Sequence, residues 1–71
     1  MIAQVYLWTD DGKVTVFDEH GHQMVNYCGS RQSVADRILR EAPPTARFYL
    51  VNLATGSKER IARTDFERLS K

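Results

Sequence analysis

Two short polar stretches, TDDGK at residues 9–13 and DEHGH at 18–22, constrain the fold of this chain more than any other feature. Each sets polar residues and a glycine between runs rich in Val, Tyr, Phe and Met. That is the pattern of a three-residue hairpin loop, with the glycine in the left-handed position it occupies without strain. Two such hairpins in series predict a meander with strands at about 2–9, 13–18 and 22–28.

The expected register sets Thr9 opposite Lys13 and Asp18 opposite His22. Val5 then pairs with Phe17 and Leu7 with Thr15, joined on the same face by Gln23, Val25 and Tyr27. The opposite face collects Tyr6, Trp8, Val14, Val16 and Met24 and is equally apolar. An antiparallel sheet with one wet side alternates apolar with polar residues, and this meander does not. Both faces call for cover.

A helix supplies cover for one. Ser30 and Ser33 are N-cap candidates, and Val34, Ala35, Ile38, Leu39 and Ala42 form one stripe before Pro43 ends the helix. ARFYLVNL at 46–53 and KERIAR at 58–63 read as two further strands around a glycine turn. TDFE at 64–67 matches a capping box, with Thr64 as cap and Glu67 reaching back, and opens a short terminal helix carrying Phe66 and Leu69. The expected fold class is α+β: a single antiparallel, curved sheet in βββαββ order packed on one helix, with a C-terminal helical turn, all in one domain over 1–71.

A chain of 71 residues rarely gains more than about 3–5 kcal/mol from its core, and disulfides, a metal or self-association often supplement it. Cys28 is the only cysteine, so no intrachain disulfide forms, which fits a reducing compartment. The N-terminus reads as neither a signal peptide nor a membrane span. The expectation is a cytoplasmic protein with no membrane partner.

DEHGHQMVNYC at 18–28 holds the residue types that zinc accepts. Its spacing opposes a site, because Cys28 lies six residues beyond His22, about 20 Å along an extended strand. The same separation keeps both histidines from activating Cys28 as a nucleophile. No other catalytic motif is present. The sequence therefore predicts no metal, no cofactor, no small-molecule substrate and no enzyme activity.

Charge is divided along the chain. Residues 1–28 carry Lys13 against four carboxylates, while residues 29–71 carry nine basic and five acidic side chains. Tyr6, Trp8, Val14, Val16 and Met24 are the expected contact surface for a protein partner or a second copy in a homodimer, since aromatic residues and methionine dominate interface energetics. By analogy of size alone, such a module serves as a regulator or inhibitor of a larger assembly, of the kind phages and mobile elements carry. The alternative is nucleic acid, held by Arg31, Arg37, Arg40, Arg47, Arg60 and Arg63, with Lys58 and the neighbouring Phe48 and Tyr49, because aromatic and basic residues together suit single strands.

Overall fold

The computed structural model describes residues 1–70 and shows an α+β fold in which a five-stranded sheet carries two helices. Strands β1 (Ile2–Trp8) and β2 (Lys13–Asp18) form the first hairpin, and β3 is reduced to Gly29–Ser30. Helix α1 (Arg31–Glu41) leads to β4 (Arg47–Asn52), β5 (Ser57–Ile61) and helix α2 (Arg63–Leu69). The strand order is β3-β2-β1-β4-β5, with β1 and β4 parallel and every other neighbouring pair antiparallel.

The sheet is thus mixed, which corrects the expectation of a single antiparallel one. The cause is the crossover. An eleven-residue helix spans about 16 Å, close to the length of a strand, and returns the chain to the end from which β1 started. β4 consequently enters beside β1 and in its direction, so the first hairpin lies on one side of the parallel pair and β5 on the other.

The first loop also departs from expectation, and the difference reorganises both faces. Four residues, 9–12, separate β1 from β2, and the pairs are Val5 with Val16, Tyr6 with Thr15 and Leu7 with Val14. Relative to the predicted register, β2 has slipped by one residue, which exchanges the faces of all its side chains. The reason lies in the core. The observed register buries Val14 and Val16 beside Val5 and Leu7, whereas the predicted one would put the Thr15 hydroxyl there. Gly12, at φ +69°, closes the loop by donating its N–H to the Trp8 carbonyl at 3.0 Å, and its own carbonyl accepts from Arg31 N at the start of α1.

The second loop keeps the predicted register at first: Asp18 N donates to the His22 carbonyl, Met24 N to that of Val16, and Phe17 bridges to Gln23. The expected strand over 22–28 then gives way to a 3-10 turn at Val25–Tyr27, and pairing resumes only between Val14 and Gly29. The excursion brings Tyr27 to α1, where its hydroxyl donates to Glu41 Oε1 at 2.6 Å.

Both helices cover the same sheet face. Val34, Ala35 and Ile38 of α1 and Phe66 of α2 close over Val5, Leu7, Val14, Val16 and Phe48, with the Phe48 and Phe66 rings 5.0 Å apart. The cap of α2 sits two residues earlier than predicted: Ala62 is the cap residue, and the Asp65 carboxylate accepts its backbone N–H at 3.2 Å, in place of Thr64 and Glu67. No helix among the described residues is long and apolar enough to cross a membrane.

Candidate functional site

With both helices on one side, the other face of the sheet is left uncovered by any element among the described residues. Strand alternation and register decide what it displays. One row across the sheet holds Trp8, Val51 and Lys58, the next Thr15, Tyr6, Tyr49 and Arg60, and the third Phe17, Gln4 and Arg47; Lys13 stands on the same side at the start of β2. This face spans about 13 Å along the strands and 14 Å across them from β2 to β5.

The rings form a continuous row. Tyr6 lies between Phe17, edge-on at 5.4 Å, and Tyr49, tilted at 5.2 Å. Lys58 Nζ stands 5.3 Å from the centroid of Tyr6 and 4.9 Å from that of Tyr49. The polar atoms of two rings are occupied within the sheet, since the Tyr6 hydroxyl donates to Gln4 Oε1 at 2.8 Å and Trp8 Nε1 to Thr15 Oγ1 at 3.0 Å. These bonds hold the rings in place without consuming their π faces. All four aromatic side chains of this face are half-buried against one another and the sheet, while Lys13, Arg47, Lys58 and Arg60 are exposed.

Electrostatically the face is one-sided. The nine Asp and Glu side chains all lie elsewhere: Asp10 and Asp11 in the first loop, Asp18 and Glu19 at the second, Asp36 and Glu41 on α1, Glu59 on the helix-covered side of β5, and Asp65 and Glu67 on α2. Four cations therefore stand around the rings with no acid among them, although the whole chain carries only +1.

Of the five expected contact residues, the structure leaves only Tyr6 and Trp8 on this surface. Val14 and Val16 are 1% and 0% exposed in the core, and Met24 packs against that core instead of lying beside Trp8. The one-residue slip of β2 is the cause. It also brings Phe17 and Thr15 to the open face, opposite the side that the expected register gives them. The loop length held the signal, because four residues between Trp8 and Lys13 reverse the alternation that three residues between Thr9 and Lys13 imply.

The six arginines of the alternative reading do not share one surface. Arg31, Arg37 and Arg40 belong to α1, on the far side of the sheet. Arg37 Nη1 donates to the Asn26 carbonyl at 2.9 Å. Arg63 donates to the carbonyls of Leu39, Ala42 and Pro43 at 3.2, 2.9 and 2.7 Å and lies 5.5 Å from the Phe48 ring centroid, so it caps the C-terminus of α1. Arg47 and Arg60 alone flank the rings, joined by Lys58 and Lys13.

At the second loop, the Asp18 carboxylate accepts the backbone N–H groups of His20 and His22, each at 2.9 Å. The bond from His22, with that from His20 adding to it, holds this carboxyl below the ordinary aspartate range. Asp18 thus closes a turn, and the described residues contain no cluster of three His, Cys, Asp or Glu side chains placed to hold a metal. Cys28 Sγ lies 3.3 Å from the Met24 carbonyl and 3.4 Å from Val16 N, at the seam where pairing breaks. No family model, curated protein or solved structure matches the chain, so the meaning of the open face rests on its geometry.

Proposed function

We propose that this protein binds single-stranded nucleic acid on the open face of its sheet. The observation that carries the reading is the row Phe17, Tyr6 and Tyr49, bordered by Lys13, Arg47, Lys58 and Arg60 with no carboxylate among them. Unpaired bases present flat faces that stack on aromatic rings, and the phosphates between them seek cations. The dimensions accommodate about two or three nucleotides. Lys58 has a double role. It rests over Tyr6 and Tyr49 in the free protein and moves to a phosphate when a base takes its place. A duplex hides its base faces and gains only the salt-dependent attraction of the cations.

Docking of a protein on this surface is the rival reading, and the free outer edge of β5 favours it, because an edge strand offers unpaired main-chain groups. Two features weigh against it. The alternation of Lys58, Glu59 and Arg60 on that edge discourages strand addition, and burial of Val14 and Val16 removes the aliphatic part of the expected patch. Trp8, the only tryptophan, borders the rings and provides the assay. Titration with an eight-nucleotide oligothymidylate quenches its fluorescence, with affinity that falls as salt rises, and duplex of equal length binds more weakly. Absence of oligonucleotide binding at low salt refutes the proposal, and a concentration-dependent dimer in the same samples transfers the face to the protein reading.

A further inference from the structure

Where β4 begins and β5 ends, the end of the sheet bears a cleft of about 490 Å³ that Arg47 and Arg60 line from the open face and Phe48, Ile61 and Arg63 from the helix-covered side, with Pro44 and Ala46 beside them. The three arginines differ in their occupation. Arg63 is held in place by the carbonyls at the end of α1 and so presents a fixed positive wall. Arg47 and Arg60 are exposed and have no ion-pair partner among the described residues. Among the described residues, no carboxylate lines the cleft. Of the acids nearest in sequence, Glu59 alternates to the other side of β5 from Arg60, and Asp65 is engaged by Ala62 N and by Arg68.

The geometry points to a phosphomonoester site in this cleft, which receives the phosphorylated end of a strand lying across the rings. The inference rests on the single-strand reading of the open face. The cleft adjoins the row formed by Phe17, Gln4 and Arg47, so a strand stacked on Tyr49 and Tyr6 leaves the sheet there. The charge selects a terminal group over an internal one. An internal phosphodiester carries one negative charge and two free oxygens, whereas a terminal monoester approaches two charges near neutral pH and offers three. Guanidinium groups meet that arrangement with paired N–H donors, which a lysine cluster does not reproduce. The volume lies within the range of small-ligand sites and admits a nucleotide's phosphate with part of its sugar. The buried Phe48 ring leaves no platform for a base inside the cleft.

The test compares three eight-nucleotide oligothymidylates that differ only in their ends: 5′-phosphorylated, 3′-phosphorylated and unphosphorylated. One phosphorylated form is expected to bind on the order of tenfold more tightly than the unphosphorylated strand, and which form it is identifies the end recognised. Arg47→Gln and Arg60→Gln abolish that preference, and both sites are exposed, so folding is retained. Tyr49→Ala weakens all three strands while preserving their order. Equal affinity for the three strands overturns the terminal-phosphate site and leaves the open face standing as a platform. If no strand binds, the platform reading fails, and thymidine monophosphate titrated against the amide spectrum decides the cleft alone. Saturable shifts confined to its lining and lost in Arg60→Gln uphold a phosphomonoester site, and an unchanged spectrum overturns it.

Discussion

Replacing Tyr49 with alanine separates the role of the open face from that of the core. Tyr49 sits at the centre of the proposed platform, 5.2 Å from Tyr6 and directly beneath Lys58. Its ring is half-buried and its backbone pairs with both Tyr6 and Arg60, so truncation removes a stacking surface without opening the core. Loss of one aromatic pairing costs about 1 kcal/mol of stability. Loss of one base-stacking ring costs about 1–3 kcal/mol of binding, a fall in affinity of roughly 5- to 150-fold. Val16→Ala reverses the pattern. Val16 is fully buried between the sheet and the helices, and removing its methyl groups costs about 2 kcal/mol of stability while the exposed surface is unchanged. Urea melts followed by circular dichroism give the first quantity for each variant, and fluorescence anisotropy of a labelled oligothymidylate gives the second. If Tyr49→Ala binds with undiminished affinity, stacking on this row of rings is refuted, whatever its stability.

Three further outcomes follow from the same geometry. Lys58→Gln should flatten the dependence of log affinity on log salt by about 0.7, because one phosphate of the strand is no longer neutralised, whereas Arg40→Gln on the helix side should leave the slope unchanged. Arg63→Gln should lower stability by about 2–3 kcal/mol in urea titration, because it removes the charged cap of three carbonyls at the end of α1; a variant as stable as the parent contradicts that role. The Asp18 carboxyl is held below its ordinary value in the folded chain, so its stabilising effect on the second hairpin is complete above the unfolded aspartate value near pH 4 and is lost as pH falls through the lowered folded value. Amide resonances of His20 and His22 should therefore titrate in strongly acid solution, and those transitions should be missing in Asp18→Asn.

Much of the architecture was legible because local chemistry enforces it. The glycines at 12 and 21 both adopt positive φ in turns, Ser30 precedes a helix whose buried side carries Val34, Ala35 and Ile38, and Ala42 ends it before Pro43. The second loop closes through Asp18 as its polar residues implied. Tyr6 and Trp8, expected as a protein contact, and Arg47 and Arg60, expected at nucleic acid, all lie on the open face. The expected register puts Phe17 on the other side, and the expected nucleic-acid set includes four helix arginines, Arg31, Arg37, Arg40 and Arg63, that the fold carries away from the rings.

Local sequence thus determined the turns at Gly12 and Gly21, the end of α1 before Pro43 and the alternation along each strand, since these depend on glycine conformation, proline geometry and side-chain period. Tertiary structure alone decided which of the two alternating sets on β2 goes inside. That choice turned on one residue of loop length, settled by burying Val14 and Val16 with Val5 and Leu7 beneath α1. It also decided the parallel pairing of β1 with β4, which depends on where a crossover helix returns the chain and not on any motif within either strand. The rings and cations of the open face come from four strands in two hairpins far apart in sequence, and only the assembled sheet makes them neighbours.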